Sequence, residues 1–154
     1  MKTGDRGQVL IVVALAIVAL VGFAALAVDV AYLITVRNEL QRCADSGALA
    51  GASRWIEPGS LPWSDSLVRS EAESRAKNFA STDPVVQTHL DRDLEVFVEF
   101  PQDNQIRVET RRNVDLFFAP IFGIWNQEYR AFARARSYYR TTPPPPGNFV
   151  QLVE

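Results

Sequence analysis

Cysteine and histidine are almost missing from this 154-residue chain, with one of each, Cys43 and His89. A single thiol excludes an internal disulfide and cannot by itself fix the redox compartment. No second Cys or His stands ready to complete a zinc site with His89. A Gly-rich phosphate loop is absent, and no serine sits in a G-x-S-x-G elbow. A Ser-His-Asp set is therefore possible only in arithmetic, and His89, in the connector Thr88-His89-Leu90-Asp91, reads as an exposed loop residue. Positive charge is not in excess either. Sixteen Lys and Arg face 18 Asp and Glu, for a formal charge of −2, whereas nucleic-acid binding calls for a basic face. The expectation is a protein that is not an enzyme, with no catalytic residue, cofactor or metal, and no nucleic-acid partner.

Apolar residues make up 47% of the chain, and the most concentrated run is Val9 to Val28, VLIVVALAIVALVGFAALAV, without a charge or a proline. Its length matches the ~20 residues that cross a hydrocarbon core of ~30 Å at ~1.5 Å per residue. It has no polar face, which a helix of a small soluble domain would show. Membrane lipid is thus one expected partner. Lys2, Arg6 and the terminal amine precede the run, opposed by Asp5, while Asp29 follows it and no cation appears until Arg37. The positive-inside rule then places the N-terminus in the cytoplasm and the rest across the membrane, periplasmic or extracellular. Three mature N-termini fit these residues. The helix is a permanent anchor, or a signal peptidase cuts at Ala25-Leu26-Ala27 to leave Val28 first, or a prepilin-type peptidase cuts between Gly7 and Gln8. The permanent anchor is favoured, because a signal h-region usually runs only about 7–15 residues and helical character continues straight through the cut site after Ala27.

Beyond Val28 the pattern stays helical and becomes amphipathic. Leu33, Val36, Leu40, Cys43, Ala44, Gly47, Ala48 and Gly51 recur at three- and four-residue steps, with Arg37, Asn38, Glu39, Gln41, Arg42 and Asp45 mostly off that stripe. Pro58-Gly59 supplies the stop, so one helix of ~70 Å from about Val9 to about Arg54 is expected. The far end of the stripe is built of small residues, which let another element approach the backbone closely. Packing against the chain's own domain is favoured over an intersubunit contact, and both are compatible with the residues.

The remainder reads as a small α+β head. Asp65 to Ala80 has helical period, with Leu67/Val68, Ala72, Ala76 and Phe79/Ala80 on one side and Arg69, Glu73 and Lys77 as i,i+4 pairs on the other. Leu94 to Phe100 alternates strictly, turns at Pro101-Gln102-Asp103-Asn104, and resumes from Ile106 to Arg111. An antiparallel register with Phe100 opposite Ile106 sets Glu99 against Arg107 and Glu95 against Arg111, complementary pairs worth ~0.2–1 kcal/mol each. Leu116 to Trp125 is too apolar for a solvent loop. Its Phe117, Phe118, Ile121, Phe122, Ile124 and Trp125 are expected to cap the sheet and fill the core, with a partner-binding patch of Phe117, Phe118, Phe122 and Trp125 as the alternative. Glu128 to Arg140 alternates again, placing Ala131, Ala133, Ala135 and Ser137 on a small-residue face suited to the Ala/Gly end of the long helix, and an arginine ladder on the other. That ladder is read as solvated, with an acidic partner or lipid headgroups as the alternative. Pro143 to Pro146 forms a spacer, and Phe149, Val150, Leu152 and Val153 either dock back on the domain or add a strand to a neighbour's sheet edge. The expected organisation is a leader at 1–8, a membrane span at 9–28, its amphipathic extension at 29–56, a head at 57–140, and a spacer and tail at 141–154.

The stretch from Gly7 to Ala52 resembles the N-terminal region of the TadE/TadG-like proteins of bacterial tight-adherence (Tad, or Flp) pilus-assembly systems. The residues that carry the resemblance are Val28-Asp29, Leu40-Gln41, Ala44-Asp45 and Ala48-Leu49-Ala50-Gly51-Ala52. Cys43 stands where the family usually has a small residue such as Ala. A looser similarity covers Ile106 to Arg136. Together with the periodic segments above, this makes the expected fold α+β, a pilin-like long helix packed on an antiparallel sheet of about three strands plus one more helix. The resemblance also implies an inner-membrane, minor pilin-like assembly component that associates with other Tad or pilin-like proteins in a hetero-oligomer. Asp29, Leu40, Ala44, Asp45, Gly47, Ala48 and Gly51 become the expected packing or assembly positions. Pilins and processed pseudopilins carry a glutamate five residues after the cleavage point, and counting from Gln8 that position is Val12 here. An unpaired charge is costly in an apolar setting, so the missing carboxylate suits an unprocessed anchor or a filament-tip subunit better than a repeating one. The rival reading is a membrane-tethered or secreted periplasmic binding module unrelated to pili.

Overall fold

A computed structural model describes residues 4–56, 65–82, 94–139 and 148–153. His89 and the Pro143–Pro146 spacer lie outside the described residues. The long apolar-then-amphipathic pattern folds as one helix, α1, Gly4–Ser53, extended by a 3-10 turn at Arg54–Ile56. A second helix, α2, spans Ser66–Thr82. Asp65 caps it, accepting from the Leu67 N–H at 2.8 Å through its side chain and from the Arg69 N–H at 3.0 Å through its carbonyl. Four strands follow: β1, Glu95–Gln102; β2, Gln105–Val114; β3, Gln127–Tyr139; and β4, Asn148–Val153. They form one sheet in the order β1-β2-β3-β4. The architecture is α+β as expected, with one strand more than the sequence pattern suggests.

That extra strand is the tail. β4 pairs antiparallel with β3, Arg134 opposite Val153 through Tyr139 opposite Asn148, so of the two placements open for the tail the structure takes the one within its own chain. The hairpin register agrees with the charge argument. Glu99 faces Arg107 and Glu95 faces Arg111, and a register shift between Glu99 and Gln102 accommodates the turn.

The contacts divide the chain into two compact units. One comprises residues 1–35 and 115–127, the other 36–114 and 128–154. The second unit is the head. Its core is made of Ala44, Ala48, Ala52, Trp55, Val68, Ala76, Ile106, Val108, Ala133 and Ala135, with Val96, Val98 and Phe100 packed against it. On α2 the buried face is Val68, Ala72, Ala76 and Ala80, while Leu67 and Phe79 are exposed. Among the polar pairs of this unit, Lys77 meets Glu73 at 2.6 Å, Arg54 meets Glu71, and Arg69 reaches Asp103 at 2.6 Å. Arg130 Nε donates to Glu128 Oε1 at 2.5 Å, which lowers the Glu128 carboxyl and raises the Arg130 guanidinium from their ordinary values.

Of the β3 arginines read as a solvated ladder, Arg130 is exposed while Arg134 and Arg136 are half-buried, and arginines of β2 share the rings beside them. Arg107 and Arg134 stack on Phe132 at 5.1 and 5.9 Å, and Arg111 stacks on Phe97 at 4.5 Å. Glu109 bridges to Arg111 at 2.7 Å and to Arg107 at 3.5 Å. Guanidinium groups this close to ring centroids gain cation–π attraction, while Phe97 and Phe132 remain partly exposed.

Candidate functional site

Two features stand out, one in each unit. In the head, the small-residue stripe of α1 is an internal seam. Leu40, Ala44, Gly47, Ala48 and Gly51 are buried together with Val36, Cys43 and Ala52, and Asp45 lies at the margin. The glycines are there because nothing larger fits. A Cβ on Gly47 would stand 2.9 Å from the Ala76 carbonyl oxygen and 3.1 Å from the Ala80 Cβ, and one on Gly51 would meet the Ala72 carbonyl at 3.1 Å. The seam is therefore where α2 and β2 lie against the helix backbone. Thr110 adds a polar stitch from the sheet. Its buried hydroxyl reaches the Leu40 carbonyl at 3.0 Å and the Ala131 carbonyl at 3.4 Å. Gln41 Nε2 donates to Asp45 Oδ1 at 2.9 Å and to the Phe132 carbonyl at 3.2 Å. Of the two roles open to this stripe, packing within the chain is the one its contacts fulfil.

The second feature is the segment between β2 and β3. It was expected to fill the head core, and the structure corrects this. Phe117, Ile121, Phe122, Ile124 and Trp125 are exposed, Trp125 at 67% and Ile121 at 79%, and Phe118 is largely so. The physical reason is that alanines from α1, α2 and β3 approach closely enough to close the core with Trp55, Ile106 and the valines, leaving no void for six large side chains.

The segment is ordered nonetheless, because Asp29 holds it. This carboxylate, only 3% exposed, accepts from the N–H of Phe117 at 3.0 Å, from that of Phe118 at 3.0 and 3.3 Å, and from that of Ala119 at 2.7 Å. Charge-assisted bonds to backbone N–H groups are among the stronger protein hydrogen bonds. The donors lead into a 3-10 turn, Ala119–Phe122, whose end is closed by Gly123 at φ 80°, a left-handed conformation that favours glycine. The Ile121, Gly123 and Ile124 N–H groups return to the carbonyls of Phe118, Pro120 and Ala119. Tyr32, one turn along α1 from Asp29, packs its ring on Phe117 with centroids 5.2 Å apart.

The sequence placed Asp29 among the packing positions, and the structure gives it a different task, that of a loop acceptor. Its signal was a lone carboxylate at the end of an uncharged run. Nothing in the sequence named its partners, because backbone N–H groups leave no side-chain signature. Thr110 was missed for a similar reason, since alternation marks its face but not its bond to a helix carbonyl. Toward the other end of α1, Gly7 and Gln8 lie within the helix, and nearly all residues from Val9 to Val28 are exposed, none of them buried by the described residues. By length and composition this helix is able to cross a membrane. Among the described residues no group of three or more His, Cys, Asp or Glu is arranged to hold a metal ion.

Two family models match the sequence. One, described as "Putative Flp pilus-assembly TadE/G-like", covers residues 7–54, and the other, described as "Putative Tad-like Flp pilus-assembly", covers residues 37–135. No curated protein and no solved structure matches significantly.

Proposed function

Since the chain belongs to the Tad-like Flp pilus-assembly family, we propose that it is a non-enzymatic, minor pilin-like assembly component of a bacterial Tad pilus. In this reading Val9–Val28 is embedded in the inner membrane with the N-terminus cytoplasmic, and the head is displayed on the far side. Its partners are other pilus components, and the protein works by contact rather than chemistry.

The observation that carries this reading is the division of labour along α1. From Val36 to Ser53 one face of the helix is covered by the chain's own α2 and sheet, while the apolar window in its first half is not buried by any of the described residues. A helix left bare over an apolar length that matches a bilayer needs lipid or other apolar helices around it. Val12, at the position where a processed pilin would carry a glutamate, favours an anchor or a tip position over a repeating one, because a charge left unpaired among apolar helices is costly.

Two variants test the role in the native bacterium. Deleting the gene is expected to abolish surface pili, scored on sheared filaments, and the wild-type gene to restore them. Ala48→Trp forces a large ring into the fully buried seam. It is expected to leave the protein in the membrane fraction yet fail to restore pili, and wild-type piliation by this variant would sink the assembly role assigned to the docked head.

A further inference from the structure

We propose that the loop Leu116–Trp125 is a second membrane contact, an apolar wedge that rests in the headgroup boundary where α1 leaves the bilayer. The inference rests on the reading that Val9–Val28 spans lipid. Four observations, all within one compact unit, lead to it.

The first is position. Asp29 follows directly on Val28, the last residue of the uncharged run, and the loop backbone is bonded to that carboxylate at 2.7–3.3 Å. Whatever depth the end of the span has, the anchored part of the loop shares it. The second is composition. Leu116 to Trp125 carries no charge and presents Phe117, Ile121, Phe122 and Trp125 outward. Large aromatic and aliphatic side chains of this kind are what interfacial segments bury in the boundary between headgroups and acyl chains.

The third is the state of the backbone. A segment can enter a water-poor layer only when its polar groups have partners. Here the N–H groups of Phe117, Phe118 and Ala119 are held by Asp29, Pro120 has none, and those of Ile121, Gly123 and Ile124 close on loop carbonyls. The fourth is continuity. Val28, Val30 and Ile34 on α1 are also exposed, so apolar surface runs past the end of the span beside the loop's attachment points at Asp29 and Tyr32. A second copy of the chain would also cover such a patch, but tethering to the span's end brings lipid to the loop in every molecule, before any partner arrives.

The test uses full-length protein with its one thiol removed by Cys43→Ala, reconstituted at low density in phosphatidylethanolamine/phosphatidylglycerol vesicles. Ile121→Cys or Val18→Cys then carries an environment-sensitive fluorophore. The Ile121 probe is expected to be shielded from aqueous iodide and quenched most by lipids brominated near the headgroup. The Val18 probe is expected to be quenched most by lipids brominated deep in the chain. Adding Asp29→Ala is expected to reduce quenching of the Ile121 probe by at least about twofold, since a loop without its acceptor no longer keeps a fixed depth. An Ile121 probe blind to brominated lipid while the Val18 probe responds overturns the wedge and leaves the span intact. Shielding from iodide without any response to brominated lipid also overturns it, in favour of a second copy. If neither probe senses lipid, the span fails and the wedge fails with it.

Discussion

At the scale of single residues, Asp29 has the clearest consequences. Its carboxylate satisfies the N–H groups of Phe117, Phe118 and Ala119 in a site shielded from water. Replacing it by alanine leaves those donors without an acceptor, and a buried polar group without a partner costs ~1–3 kcal/mol. Asp29→Ala is therefore expected to accelerate amide hydrogen exchange across residues 117–124 while leaving the β1–β2 hairpin protected. Asp29→Asn keeps one acceptor oxygen and should fall between the two. Unchanged exchange in the alanine variant would show that the loop is ordered by its side chains instead. Asp29 also marks a boundary of what residue types reveal. Its lone charge was legible as the end of an uncharged run, but a carboxylate bonded to backbone can be recognised only when the loop has been placed.

At the scale of elements, the long helix and the hairpin were legible because each obeys one period over many residues. The stripe from Val36 to Ala52 repeats at helical spacing and is buried as expected, and Glu95, Glu99, Arg107 and Arg111 pair as their alternation and charge require. Two elements were not legible. The tail strand β4 is short and follows a proline run, so its apolar residues fit a docked strand and a partner-seeking one equally well. The loop at 116–125 was not legible for a different reason, because its apolar composition fits burial in the core and an exposed patch alike, and only the placed loop shows which side chains are exposed. The seam makes its own prediction. Gly47→Ala would push a methyl to 2.9 Å from the backbone oxygen of Ala76, whereas Gly22→Ala would meet nothing within 4 Å. Overpacking at a tight backbone contact costs ~1–3 kcal/mol, so Gly47→Ala should lower the head's unfolding midpoint in denaturant and Gly22→Ala should leave it unchanged. Equal midpoints would mean that α2 lies farther from α1 than described.

At the scale of the whole molecule, a chain of the Tad-like Flp pilus-assembly family combines a helix able to cross a membrane with an α+β head. The head core is closed by residues of its own chain, and among the described residues the densest exposed apolar runs lie on the first half of α1 and the loop tied to it, with Leu67, Phe79 and Phe132 exposed singly on the head. Cys43 lies on the seam side of α1, wholly buried and free of any disulfide. A solitary thiol in that position acts as a built-in clock for the head. A membrane-impermeant alkylating reagent can react only when the helix and sheet part, so its rate counts those openings. With a typical stability of ~5 kcal/mol, labelling of the native protein should run more than about a thousandfold slower than that of the unfolded chain. Intact mass against time would read it out, and labelling at the unfolded rate would mean the seam is open in solution. Measured in intact cells, with pilus components present or removed, the same single atom would report how often the head opens during assembly, with no engineered cysteine needed.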